Sequence, residues 1–356
     1  MTMRQARAGR IAIVAGASGM VGRRLAEHMN ALEGWKAIGL ARRPPAAASF
    51  AFIAADLVDA SAVRRALREV GPVTDLFYAA RYDHTTSRKE PIEENLAMLR
   101  NLMEALDPDA ANLRHVHLVQ GTKYYGSDLG PFKTPAREND PRIKVPNWYY
   151  AQEDYIVERQ HNQRWTWSAS RPHGVCDVAP GIARSLARVI GVYAAILREQ
   201  GEPLYFPGTP GNFAAIYQCT DAALLARAIV WMASEPKCGN HAFNVTNGDY
   251  IRWMNLWPRF AAYFGMEPGP VRTVRLENAM ADKAPVWERV VRRYGLLAMP
   301  YARAALWSYG DFIFGPANDM MSDTTKLRQY GFCEVLDTEA MFLRLFNELR
   351  EARILP

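Results

Sequence analysis

Apolar positions in the first half of the chain fall alternately into short solid runs and into helical spacing. Ile11–Ala15, Trp35–Ala41, Phe50–Ala54, Asp75–Ala79, Leu113–Gln120 and Thr166–Arg171 are short runs of strand type. Met20–Asn30, Ser61–Val70, Ile92–Leu106 and Tyr149–Gln160 between them place apolar residues on one helical face, as Leu25, Ala26 and Met29 do in the first. Such alternation predicts an α/β fold in which a doubly wound parallel sheet carries helices on both faces. Beyond Pro172 the pattern loosens into helices at Ala183–Glu199, Asp221–Ala233, Arg252–Phe264, Pro285–Tyr294 and Met341–Arg350, with a short strand at His241–Thr246. The expected organisation is a nucleotide-binding domain over residues 1–172, with segments from about 205–250 returning to it, and a smaller, mostly helical C-terminal lobe over residues 173–356 that shapes a substrate pocket. Arg42–Ala48 reads as a loop.

The first strand runs into a turn with glycines at 16, 19 and 22, and then into the first helix. Gly16 allows the tight turn, Gly19 lets a phosphate approach the backbone, and Gly22 lets helix and strand pack closely. The helix start offers unpaired N–H groups and a positive dipole end to a pyrophosphate. Ser18, Met20 and Val21 belong to the same cradle. The spacing is G-x-x-G-x-x-G, so the expectation rests on the strand before it and the helix after it. In such a fold the end of the second strand meets the adenosine ribose, where an acidic residue suits NAD and arginine suits the 2′-phosphate of NADP. Here that place is held by Arg42 and Arg43, with no carboxylate, which points to NADPH/NADP+. Asp56 and Leu57 after the third strand, Tyr78 and Ala79 ending the fourth, Gln120 ending the fifth, and Val175 complete the expected cofactor set.

No tyrosine is followed by lysine four residues later: Glu153 follows Tyr149, and Asp154 follows Tyr150. The helical Tyr-Lys pair of ordinary short-chain reductases is therefore missing. A lysine does stand at the end of the fifth strand, in Gly121-Thr122-Lys123-Tyr124-Tyr125-Gly126. That strand end lies beside the expected nicotinamide, within reach of a tyrosine on the following helix, although an ordinary solvated loop lysine fits the position equally well.

The segment Gly121–Gly126 with Gly130-Pro131-Phe132 resembles the G-x-K-H-Y-x-G-P-F motif of the progesterone 5β-reductase/iridoid synthase-like enzymes. Asn147-Trp148-Tyr149-Tyr150-Ala151-Gln152-Glu153-Asp154 is similar to that family's N-F-Y-Y-x-x-E-D. The likeness extends through Ala41-Arg42-Arg43-Pro44, Ser170-Arg171-Pro172, Phe243–Asp249 with Trp253 and Trp257, Asp323 with Lys326, and Gly331-Phe332. It implies an atypical extended short-chain reductase of the Rossmann type that uses NADPH to reduce the activated C=C bond of small hydrophobic enones or enals, Δ4-3-ketosteroids among them. The family's catalytic tyrosine falls on Tyr149 and its lysine on Lys123. Tyr149 would donate to the enolate oxygen that develops when hydride reaches the β-carbon, and the positive charge of Lys123 would favour a more acidic phenol. The α-carbon takes its proton from water. Tyr309 falls on an aromatic pocket position of the family, and Phe132, Trp148 and Phe213 are further candidates for the substrate wall. Three departures bear on the substrate: Tyr124 where the family has His, extra residues before Gly130, and His173 where the family has Gly.

Composition narrows the alternatives only slightly. The formal charge is +6 over 356 residues, with arginines dispersed rather than clustered, so nucleic acid is not indicated, and no apolar run reaches the length of a membrane span. Cys176, Cys219, Cys238 and Cys333 lack metal-ligand spacing and read as reduced thiols of a cytoplasmic protein. His115 and His117 share one face of a strand and read as packed residues rather than a metal pair, so no metal site is expected. Glu153 and Asp154 read as structural carboxylates. A homodimer is compatible with these features. Two other readings stay open: a carbonyl reductase or nucleotide-sugar epimerase on the same fold, and a protein that senses NADP(H) without turning it over.

Overall fold

A computed structural model describes residues 9–45, 48–82, 91–107, 111–178 and 182–356; Ala46 and Ala47 of the expected loop lie outside them. Strands β1 (Arg10–Ala15), β2 (Trp35–Ala41), β3 (Ala51–Ala54), β4 (Asp75–Tyr78), β5 (His115–Val119), β6 (Thr166–Pro172) and β7 (His241–Val245) form one sheet in the order β7-β6-β5-β4-β1-β2-β3. Every neighbouring pair in it is parallel. Strands that are covered on both faces must be apolar throughout, and β1 and β2 are buried along nearly their whole length.

Helices α1 (Met20–Asn30), α2 (Ala60–Leu67), α3 (Ile92–Ala105) and α4 (Trp148–Gln160) supply the crossovers. The core on one face joins Val63, Leu67, Leu99, Leu102 and Ile156 to the sheet. The opposite core joins Leu25 and Met29 of α1 to Leu225 and Ile229 of a helix at Ala222–Ser234, and to Leu327 and Phe332 near the C-terminus. A third core gathers around the helix Leu186–Glu199, where Trp253, Trp257, Phe260, Phe342 and Phe346 are buried. The chain after Pro172 thus builds a helical lobe but sends β7, Ala222–Ser234 and Leu327–Phe332 back to the sheet.

Strand β1 lies between β2 and β4, so the chain leaves its carboxyl end in opposite directions on the two sides. That switch point opens a crevice between neighbouring loops, the usual ligand position in an open parallel sheet. His115 and His117 lie in β5, facing β6. Their ring nitrogens pair with the hydroxyls of Thr166, Ser168 and Ser170 at 2.7–2.9 Å. Burial pushes His115 down to about 3 and His117 well below the usual imidazole range, so both are neutral packing residues. Cys176, Cys219 and Cys238 are buried, Cys333 is exposed, and none is in a disulfide. No helix among the described residues is long and apolar enough to cross a membrane.

Candidate active site

A cavity of about 740 Å³ opens at the switch point. Its floor is the turn between β1 and α1, and the backbone there leaves no room for side chains. Gly16 has φ +81°, and a Cβ on it would lie 2.6 Å from the Ala79 carbonyl oxygen. A Cβ on Gly22 would lie 2.4 Å from the Gly16 carbonyl oxygen. Gly19 caps α1 without a side-chain bond, and no acidic residue stands in the first helical turn. The N–H groups of that turn are therefore left to an external acceptor. Gly19, Met20, Val21, Gly22 and Ala79 all line the cavity, together with Val175. This donor set fits the pyrophosphate of a dinucleotide.

Ser18 is exposed in the same turn, and Arg42 and Arg43 are exposed just beyond the end of β2. Asp56 is exposed after β3 and accepts from the Val58 N–H at 3.1 Å, whereas Leu57 is buried at 4 %. Tyr78 is 1 % exposed within the core beneath the sheet, so at the end of β4 it is Ala79 that faces the cavity.

Lys123 and Tyr149 line the same cavity, brought there by different elements. Lys123 sits on a single 3-10 turn, Thr122–Tyr125, directly after β5. Its ammonium lies 3.3 Å from Asp128 and is about a quarter exposed. Tyr149 is the second residue of α4, 8 % exposed, with its ring 3.9 Å from that of Trp148 between centroids. The Tyr149 hydroxyl lies over Gly121, where an added Cβ would come within 3.2 Å of it. A glycine at 121 therefore makes the space in which this hydroxyl stands. Its backbone is extended, so the need is for room rather than for an unusual conformation.

Beneath this wall lies a fully bonded polar cluster. Glu153 accepts from Gln120 at 2.9 Å, Tyr124 at 3.0 Å, Arg142 at 2.8 Å and Arg171 at 3.1 Å. Arg171, 2 % exposed, also lies 3.3 Å from the Tyr124 ring centroid. Burial alone would raise the Glu153 pKa, but Arg171, Arg142, Gln120 and Tyr124 outweigh it and hold the carboxylate below its usual range. Burial likewise opposes the Arg171 charge, and Tyr125, Glu153 and Tyr124 restore it. Such a cluster is costly to leave half satisfied, so it fixes the ends of β5 and β6 rigidly. Both polar ends of the Gln120 side chain are taken up here, by Glu153 and Arg171, and Gln120 does not line the cavity. Asp154 stays exposed and pairs with Arg142.

Of the expected substrate residues, Tyr309 lines the cavity, under the Arg184 guanidinium at 5.1 Å. Phe132 and Phe213 pack partly buried against the lobe core, and Trp148 is buried beside Tyr149; none of the three lines the cavity. The wall is supplied instead by residues that sequence patterning does not single out, among them Arg81, Arg184, Tyr217, Phe312 and Met320. His173 also faces it, with Nδ1 2.7 Å from the Thr122 hydroxyl and its ring edge-on to Tyr217. Burial lowers His173 to about 4, so this imidazole is neutral around pH 7.

The family model for the PRISE-like Rossmann-fold domain matches residues 55–356. The chain is 33 % identical to an (S)-8-oxocitronellyl enol synthase of Nepeta racemosa, covering 97 % of this chain and 93 % of the relative. It is 32 % identical to a 3-oxo-Δ(4,5)-steroid 5β-reductase of Arabidopsis thaliana over the same shares. Among solved structures, an NAD-bound short-chain dehydrogenase/reductase superfamily protein of Agrobacterium tumefaciens superposes with TM-score 0.67 at 14 % identity, covering 97 % of this chain and 98 % of that one. A UDP-glucose 4-epimerase of Thermus thermophilus, also with NAD, gives 0.65 at 17 % identity, covering 96 % and 99 %. At such identity these two structures speak for the fold alone.

Proposed function

Because the chain belongs to the PRISE-like Rossmann-fold family, we propose that it reduces the C=C bond of small hydrophobic enones or enals, with NADPH as its nicotinamide cofactor. The observation that carries this reading is one cavity joining the glycine start of α1 to the Tyr149 hydroxyl and the Lys123 ammonium. When bound, the cofactor supplies the hydride.

The protein's own part is to hold the acceptor and to meet the charge that forms on it. The start of α1 at Met20–Gly22 presents backbone donors, and Arg42 and Arg43 supply two guanidiniums where a 2′-phosphate would sit. Tyr149 offers a phenol hydrogen to the carbonyl oxygen of the enone. As that oxygen becomes an enolate the hydrogen bond strengthens, so the transition state gains more than the ground state. Lys123 adds positive charge on the same wall, partly balanced by Asp128. Burial of Tyr149 keeps its ring in one orientation and limits competing water. Val119, Tyr309, Phe312, Ile313 and Met320 give the acceptor an apolar bed.

The test is cofactor consumption with a panel of cyclic and acyclic enones, enals and plain ketones, followed by product analysis. Saturated ketones or aldehydes are expected from the conjugated substrates, with NADPH preferred to NADH. Turnover of plain ketones alone, giving alcohols, would transfer the protein to the carbonyl reductases.

A further inference from the structure

Tyr149 and Lys123 come from elements that are not continuous in sequence, so something must hold them in one register. We infer that Asn147 is a positioning residue whose side chain ties the Lys123 turn to the Tyr149 helix. The inference rests on the roles proposed above for Lys123 and Tyr149.

Asn147 precedes α4 in an extended conformation, with φ −145° and ψ 125°. Its side-chain oxygen accepts from the Tyr149 N–H at 2.9 Å, which caps the helix at the residue that carries the proposed donor. Its side-chain NH₂ donates to the Lys123 carbonyl at 2.9 Å. One planar amide thus spans the backbones of both groups. Asp would keep the cap but could not donate, and Ser would keep the cap without reaching as donor. The turn itself needs such support. It is a single 3-10 turn, joined to its flanking glycines by bonds from Tyr124 N–H to the Gly121 carbonyl and from Gly126 N–H to the Lys123 carbonyl, and short 3-10 pieces are weakly bonded. A second clasp comes from the same helix, where the Tyr150 hydroxyl donates to the Tyr124 carbonyl. The adjacent tyrosines therefore divide the work: Tyr149 faces the cavity, and Tyr150 grips the turn.

The experiment is a double-mutant cycle with Asn147→Ser and Lys123→Met on the enone reaction. Asn147→Ser should lower kcat about tenfold, in keeping with the cost of a misplaced group, while the cofactor Kd changes by less than about twofold and the thermal midpoint is retained. In the Lys123→Met background the same change should cost less than about twofold, because residues acting as one unit are not additive. Asn147→Gln, which keeps the amide on a longer stem, is expected to recover part of the loss. Equal losses in both backgrounds would make Asn147 a plain helix cap and overturn the inference. So would an unchanged kcat in Asn147→Ser while Lys123→Met is impaired, which leaves the roles of Lys123 and Tyr149 standing. An unchanged kcat in Lys123→Met would overturn the lysine assignment, and with it this inference.

Discussion

Tyr149→Phe should lower enone turnover on the order of a hundredfold, the loss typical of removing one donor to a developing oxyanion. The substitution is suited to the question because it deletes only the hydroxyl. The ring keeps its place beside Trp148 at 3.9 Å and its burial in the cluster with Tyr124, Tyr125 and Tyr150. Stability, cofactor affinity and enone KM should therefore stay close to those of the unaltered protein, with the loss confined to kcat. Pre-steady-state absorbance under saturating cofactor reads the chemical step directly. A fall in affinity with kcat intact would mean that Tyr149 shapes the pocket without meeting the developing charge.

Arg42→Ala with Arg43→Ala should raise the KM for NADPH about a hundredfold and leave that for NADH nearly unchanged. Hydrogen bonds to charged groups contribute about 1.5–3 kcal/mol each, and about 1.4 kcal/mol corresponds to a factor of ten. Both side chains are exposed beyond the end of β2, and no carboxylate lies between Ala41 and Pro45. They stand outside the core, so the double variant should fold as before. A matched loss for both cofactors would indicate that the arginines hold the pyrophosphate or the loop instead of the 2′-phosphate.

The sheet was readable in the sequence because parallel strands buried on both faces must be written as solid apolar runs. Ile11–Ala15 and Trp35–Ala41 gave their strands to within a residue. Ends were blurred where capping decides them: Ser185 accepts from the Arg188 N–H and begins the lobe helix at Leu186 rather than at Ala183. The glycine turn at the cavity floor was readable because it is local, with three glycines in one turn. The cavity wall was not, because aromatic residues serve cores and pockets alike and tertiary packing decides between them. Phe213 shows this, packing on Phe206 at 4.7 Å while its neighbour Asn212 lines the cavity. Gln120 and Tyr78 show a second cause. A strand end can be placed by sequence, but which face each side chain takes depends on strand register, and these two turn away from the cavity. Asn147 is marked in the sequence only within the Asn147–Asp154 segment, and its bond to the Lys123 carbonyl crosses between elements and has no signature along the chain.

On the proposed function, this cavity delivers hydride to the β-carbon of a conjugated carbonyl. That function is tested most directly by turnover of one enone with NADPH deuterated at the transferring C4 position, followed by NMR of the product. The expected product is a saturated carbonyl compound with deuterium on the β-carbon and solvent hydrogen on the α-carbon. Deuterium on a carbinol carbon, with the C=C bond intact, would contradict it.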